Sequence, residues 1–143
     1  MSVSDRPRLY WVPQRDVETY WQLGRYWIEQ ACKRGPCGVS PQSLLRSCIE
    51  GGSQYFVVMK GDECIAAVIT TVVIESNGRK VLEWTALGGR DREDWFGLES
   101  VVIEAAREHG CDAMRSYSRP GMKRALEPRG YRVKGYILEK EIV

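Results

Sequence analysis

Gln54-Tyr-Phe-Val-Val-Met59, Cys64-Ile-Ala-Ala-Val-Ile-Thr-Thr-Val-Val-Ile74 and Val81-Leu-Glu-Trp-Thr-Ala-Leu87 are three successive runs rich in β-branched and aromatic residues. Lys60-Gly61-Asp62-Glu63 joins the first two, and Gly61-Asp62 suits a two-residue type II′ hairpin loop. Asn77-Gly78 joins the second and third and predicts a type I′ turn. Together they predict an antiparallel three-strand meander. The middle run lacks polar alternation, so both of its faces should be covered, as in a central strand.

Upstream, Arg8-Leu-Tyr-Trp-Val-Pro13 reads as a strand near a sheet edge, closed by proline. Asp16 can cap a helix reaching about Arg34, with Val17, Tyr20, Trp21, Gly24, Trp27, Ile28 and Ala31 along one apolar stripe. Gly35-Pro36-Cys37-Gly38 breaks it. Ser40-Pro41 then supplies a cap and a first-turn proline for a short helix to Ile49, ended by Gly51-Gly52.

Downstream, the loop Arg90-Asp-Arg-Glu-Asp94 leads into a helix with Trp95, Leu98, Val101, Val102, Ala105 and Ala106 on one side, capped by Asp91 or Asp94 and ended by Gly110. Cys111 to Tyr117 reads as a strand, and the helix before it predicts a right-handed crossover into a parallel pairing. Pro120 to Leu126 suits one or two helical turns. Tyr131-Arg-Val133 and Tyr136 to Ile142 are expected to close the sheet, with Gly135 as a bend or bulge. The order β-α-α-β-β-β-α-β-α-β-β describes one α/β domain over residues 1–143 with a mixed central sheet.

With 143 residues, 43% apolar, 28% charged, 14 Gly and 6 Pro, the composition excludes collagenous, low-complexity and largely disordered classes. The length suits one core and is short for two ordinary domains. No run approaches about eighteen apolar residues, and Met1-Ser-Val-Ser-Asp-Arg-Pro-Arg8 lacks the apolar centre of a secretory signal. A cytoplasmic protein without a membrane span is expected. Five cysteines, at 32, 37, 48, 64 and 111, form no zinc or thioredoxin spacing and predict reduced thiols. Cys64 and Cys111 are expected as buried small hydrophobes in strands, and Cys37 as exposed in a loop. His109 is the one histidine, so no multi-histidine metal site is expected; before Gly110 it reads as a helix-end residue. Arg115, Arg119, Lys123, Arg124, Arg129, Arg132 and Lys134 face only Glu127 in their stretch. They form either a solvated surface or an anion-binding face with affinity for nucleic-acid phosphate, although no base-reading motif accompanies them.

The meander, the Leu87-Gly-Gly-Arg90 loop opening a long helix, and Gly130-Tyr131 after a short helix give an order that resembles the GNAT superfamily of N-acetyltransferases from Arg8 to Ile142. Val68-Ile-Thr-Thr71, Leu87-Gly-Gly-Arg-Asp91, Glu108-His-Gly-Cys111 and Arg119-Pro-Gly-Met122 are similar to a divergent branch of that superfamily found in tailed-phage and prophage genomes. The resemblance implies a gap between the fourth and fifth strands that holds acetyl-CoA, with its pyrophosphate on main-chain amides near the start of the long helix. In this sequence that implies Leu87, Gly88, Gly89 and Arg90 as cofactor-binding residues. The usual Arg/Gln-x-x-Gly-x-Gly/Ala pattern is absent, and Asp91, Glu93 and Asp94 add carboxylates beside a polyanionic ligand.

The resemblance also implies a base on the fourth strand, where Glu83 stands, sharing a face with Val81, Thr85 and Leu87. The tyrosine that often protonates the departing thiolate falls on Leu126, and Tyr117 is the nearest substitute. Trp84 is expected to pack, and His109 to cap the helix end without a catalytic role. The activity implied is acyl-CoA-dependent transfer to an unidentified amine acceptor, in host cytoplasm if phage-encoded. The alternative is a GNAT-shaped protein without catalysis that binds a phage or host protein or belongs to a virion. Fold by itself does not choose between them.

Overall fold

The computed structural model describes residues 6–35, 38–118 and 120–142. The three runs form β2 (Ser53–Lys60), β3 (Glu63–Ile74) and β4 (Lys80–Gly89), and β1 (Pro7–Val12) adds to the outer side of β2. All three of these pairings are antiparallel. β5 (Ala113–Ser116) joins β4 in parallel, completing a mixed sheet in sequence order. The expected central strand is found: residues 65–70 of β3 are fully buried.

Helices cover both faces. α1 (Val17–Arg34) and α2 (Pro41–Glu50) lie on one side, where Val17, Trp21, Ile28, Leu44 and Cys48 meet Tyr55, Val57, Ala67, Ile69 and Ala86. α2 starts and stops as its sequence dictates. Ser40 Oγ accepts from the Ser43 amide at 3.1 Å, Pro41 opens the helix, and Gly51 ends it at φ +90°. α4 (Glu99–Glu108) lies on the other side, its Val102, Ala105 and Ala106 packed with Phe56, Val58, Val68 and Leu82. It ends at Gly110 (φ +70°), with the Cys111 amide reaching back to Ala106.

α1 is fastened to the sheet by one side chain. The Tyr55 hydroxyl accepts from the Gly24 amide at 2.9 Å and lies 3.2 Å from the carbonyls of both Tyr20 and Trp21. It thus inserts where the helix's own Gly24-to-Tyr20 bond would run. Burial drives the Tyr55 phenol far above its ordinary value of 10, which keeps it a neutral donor. Tyr20, expected on the apolar stripe, is instead 46% exposed. Its position toward the helix flank puts it past the edge of the packed face.

Several local expectations are corrected. At the β3–β4 turn, Glu75 pairs with Arg79 and only Gly78 has positive φ (+87°), so the connection is a five-residue loop and not a type I′ turn. Asn77 accepts from the Arg79 amide instead of entering the left-handed region. The Gly61-Asp62 loop is as expected, with positive φ at Gly61 alone. Second, the helix after β4 is broken into α3 (Arg92–Trp95), a 3-10 turn (Phe96–Leu98) and α4. Tightening there lets consecutive Trp95 and Phe96 both be buried. Neither Asp91 nor Asp94 caps by its side chain; Asp91 is left-handed at φ +54°. Asp16 likewise makes no side-chain cap.

Third, no closing strands form. After a 3-10 turn (Pro120–Met122), α5 (Lys123–Leu126) and a second 3-10 turn (Glu127–Arg129), residues 131–142 carry no regular secondary structure. The sheet therefore ends at β5, and Gly135 bends no strand. Fourth, Cys64 and Cys111 are half-buried, and Cys111 precedes β5. Cys32, Cys48, Cys64 and Cys111 are free thiols; burial pushes Cys48 up to about 12. Cys37 and Arg119 lie outside the described residues. Among those described, no helix is long and apolar enough to cross a membrane, and no cluster of metal-ligating side chains forms.

Gly24 tests the α1 fastening. A Cβ there would lie 2.6 Å from both Ala67 Cβ and the Tyr55 hydroxyl. Helix propensity favours alanine by about 1 kcal/mol, yet overpacking against a central strand costs about 1–3 kcal/mol. Gly24→Ala is therefore expected to lower the melting temperature by a few degrees, while Gly38→Ala, with open space around it, leaves it within about one degree. A Gly24→Ala protein that melts higher than wild type would contradict the packing.

Candidate active site

β4 pairs with β5 only from Val81 to Trp84, against Ala113 to Ser116. Thr85 to Gly89 continue alongside β3 and, among the described residues, have no strand on their other edge. The separation coincides with a β-bulge. On β3, Ile69 faces Ala86 and Thr70 faces Trp84, so Thr85 is the extra residue. Its Oγ1 lies 2.6 Å from Thr71 Oγ1, which is 2.8 Å from Ser53 Oγ, which is 2.7 Å from Ser47 Oγ on α2. This hydroxyl chain holds the bulge to two neighbouring strands and a helix.

The bulge changes which face each later side chain takes. Leu82 and Trp84 belong to the α4 side, Ala86 to the α1 side, and Leu87 again to the α4 side. Leu87 therefore does not share a face with Glu83, as unbroken alternation had predicted. Between the parted strands lies a cleft of about 240 Å³, with walls from Thr85 to Gly89, Ser116 to Ser118, Trp95 and Phe96, and α1 from Tyr26 to Gly35. A second cavity of about 220 Å³ at Glu83, Thr85, Tyr117 and Cys32 adjoins it and shares Ala31, Gly35, Trp84, Thr85 and Tyr117.

Solved structures of the same architecture include AAC(6')-Iy in complex with a bisubstrate analogue, CoA-S-monomethyl-acetylneamine, which is 14% identical over 96% of this chain and 99% of that one, with a TM-score of 0.70. An aminoglycoside acetyltransferase from an uncultured soil metagenomic sample, in complex with sisomicin, is 9% identical over 99% of both chains at a TM-score of 0.68. A Trypanosoma brucei acetyltransferase is 14% identical over 95% of this chain and 99% of that one, at 0.66. This chain has the GNAT fold. No protein-family model matches the sequence, and no curated protein sequence matches it.

In this GNAT-fold protein the residues expected at the cofactor are placed as follows. Gly88 and Gly89 are the last residues of β4, and their missing side chains answer to packing. A Cβ on Gly88 would lie 2.2 Å from the Trp27 carbonyl oxygen, and one on Gly89 2.3 Å from Ala66 Cβ. Leu87 lines the cleft and touches the α4-side core. Arg90 turns to Glu63 at 2.5 Å, and its carbonyl accepts from Trp95 Nε1 at 2.8 Å. Arg34 and Arg92 both line the cleft, and no carboxylate lies within ion-pair distance of either among the described residues. Sequence reasoning missed them. Arg34 had entered only as the approximate end of the first helix, and Arg92 only as part of the loop from Arg90 to Asp94.

The start of α4 is already occupied. Glu99, 8% exposed, accepts from the Tyr131 hydroxyl at 2.8 Å and lies 3.8 Å from Arg129. Tyr131 in turn accepts from Trp84 Nε1 at 3.0 Å. Burial and Glu99 hold the Tyr131 phenol far above its ordinary value, so it stays protonated and joins β4 to α4. Trp84 packs as expected, and His109 bonds Ala105 O through Nδ1 at 2.8 Å beside Trp11.

Glu83 is half-buried at the second cavity, with Arg115 NH1 3.7 Å from Oε2. Arg115 also bonds Glu75 at 3.0 Å. Tyr117 lies just past β5, 45% exposed, on the wall of both cavities. Leu126 is buried and lines the cleft from the opposite side. The structure thus brings Glu83 and Tyr117 to one cavity but gives Glu83 a cation. The same pairing thins the basic stretch: Arg115, Lys123 and Arg129 are all engaged with carboxylates.

Arg115 holds the Glu75 carboxyl below its ordinary value of 4.5 through their hydrogen bond. A depressed carboxyl contributes stability above the unfolded value and loses it as pH falls through the folded one. Arg115→Met should therefore lower the urea midpoint at pH 7, with the deficit shrinking as pH drops below about 4. A deficit of equal size at pH 7 and pH 3 would refute the ion-pair account.

Proposed function

We propose that the protein is an acyl-CoA-dependent N-acyltransferase, a single GNAT-fold domain of the phage or prophage type working in the cytoplasm of a host. The observation that carries this reading is the parting of β4 from β5 at Thr85, which leaves a strand edge facing a cleft. A strand edge offers main-chain donors and acceptors to an extended, amide-bearing ligand. Arg34 and Arg92 on the cleft wall suit the phosphates of such a ligand. Leu87, Gly88, Gly89 and Arg90 would border it, the first three by main chain; Arg90 would first have to leave Glu63. Acyl-CoA would supply an activated thioester there.

The chain's own groups would move the protons. Glu83 would take the proton of the attacking amine, directly or through a water, and the Tyr117 hydroxyl would give one to the departing thiolate. Among the neighbours, one aminoglycoside acetyltransferase is in complex with sisomicin and AAC(6')-Iy with a CoA bisubstrate analogue; both support an amine acceptor here without identifying it. A second reading has one observation in its favour. Arg115 lies 3.7 Å from Glu83 and competes with an incoming amine for that carboxylate, which suits a GNAT-fold protein that binds a phage or host partner, as in a virion, without turnover.

Acetyl-CoA at one hundred times its dissociation constant should stabilise the fold by about 2.7 kcal/mol, raising the melting temperature by roughly 5–10 °C. Arg34→Gln with Arg92→Gln is expected to weaken binding at least about tenfold, the size of one lost charge-assisted hydrogen bond. In a coupled assay of CoA release over a panel of amines, Glu83→Gln and Tyr117→Phe should cut turnover at unchanged melting temperature. No thermal shift at millimolar acetyl-CoA would reject the enzyme in favour of the binding protein. Binding with turnover unchanged in both variants would reject the two proton-transfer roles.

A further inference from the structure

The cavity at Glu83 differs in character from the cleft it adjoins. It measures about 220 Å³, and Ala31, Cys32 and Val39, which pack on the α1-side core, give it apolar walls. Burial, and Glu29 after it, push the Cys32 thiol above its ordinary value of 9, so it stays uncharged. The Thr85 hydroxyl is taken up by Thr71. An apolar cavity of about 150 Å³ takes a benzene ring, so this one has room for a ring with a short stem.

Glu83 is the exception on these walls. Among the described residues it is the one carboxylate lining either cavity. Arg115 NH1 stands 3.7 Å from it, beyond hydrogen-bond range, and among the same residues no hydrogen bond reaches the Glu83 side chain. A half-buried carboxylate without a donor is costly. One ammonium group answers it, with three donors and a single charge. A second positive charge finds no counterpart, because the charged side chains on the cleft wall are Arg34 and Arg92, which repel it.

We propose that this cavity takes a primary monoamine with an apolar body of about phenyl size, its nitrogen at Glu83 and its body against Ala31, Cys32 and Val39. Multiply charged amines, including the sisomicin bound in one neighbour, are selected against. The cavity meets the cleft at Thr85 and Tyr117, so an amine held in it lies beside the place proposed for the thioester. The fate of that amine rests on the transferase reading; its selection rests on the cavity. On acylation the N–C bond forms as the thioester C–S bond breaks. The ammonium gives up two protons, one through Glu83 to solvent and one that balances the proton Tyr117 gives to sulfur.

The test is calorimetric titration of the full chain at neutral pH with phenethylamine, spermidine, sisomicin and the uncharged phenethyl alcohol. Phenethylamine is expected to bind saturably and at least about tenfold more tightly than the other three, the size of one charge-assisted hydrogen bond. Glu83→Gln should erase its advantage over the alcohol. Cys32→Trp, which fills the cavity, should weaken phenethylamine by at least about tenfold; should that variant fail to fold, Val39→Trp serves the same purpose. Absence of saturable phenethylamine binding, spermidine or sisomicin binding as tightly, an advantage over the alcohol that survives Glu83→Gln, or binding that survives the filled cavity each overturns the proposal. The transferase reading fails separately, through the absence of a thermal shift with acetyl-CoA. Turnover of spermidine at a kcat/KM equal to or above that of phenethylamine would keep that reading and overturn this one.

Discussion

One extra residue in β4 organises the functional half of the molecule. Thr85 has no counterpart on β3, and the bulge it makes bends the strand away from β5. The chain of hydroxyls from Ser47 through Ser53 and Thr71 to Thr85 satisfies polar groups that would otherwise be buried at a cost, and it fixes the bulge against slipping. Everything distinctive about the cleft follows: the uncovered edge of β4, the return of Leu87 to the α4 side, and the position of Tyr117 across the gap.

The opposite wall depends on how closely α1 approaches the sheet. Gly24 against Ala67 and Tyr55, and Gly88 against the Trp27 carbonyl, are contacts with no room for a methyl group. With Tyr55 occupying the helix's own hydrogen-bonding ladder, α1 is held by geometry as well as by burial. This is why Gly88 and Gly89 are explained by packing before any ligand is considered. It also brings Arg34, at the last turn of α1, to the mouth of the cleft.

Electrostatics on the floor of the site is set by Arg115, which lies opposite Glu83 in the parallel ladder and reaches Glu75 as well. The same arginine therefore connects the β4–β5 pairing to the carboxylate proposed to act on the amine.

Much of the fold was legible because its signals are local. The Gly61-Asp62 hairpin, the Ser40-Pro41 cap, the Gly51 and Gly110 helix ends and the uniformly apolar central strand all follow from residues a few positions apart. Where the readings failed, a longer-range demand had overridden them. Paired burial of Trp95 and Phe96 broke the expected long helix, the five-residue loop at Glu75 to Arg79 replaced the tighter turn, and residues 131–142 formed no regular structure in place of the closing strands. Of the site, Glu83 and Tyr117 could be named from strand position, but Arg115 beside Glu83 and the cleft-lining Arg34 and Arg92 could not, because nothing in the sequence says which charges meet.

The amino-acid sequence alone thus determined the meander, the parallel crossover after it and the class of the domain, since turn chemistry and hydrophobic period act over short stretches. Tertiary structure alone decided the side on which each β4 residue emerges, which arginines remain without a carboxylate, and the irregular course of residues 131–142. Those outcomes depend on a single bulge and on contacts between residues tens of positions apart, and no local pattern encodes them.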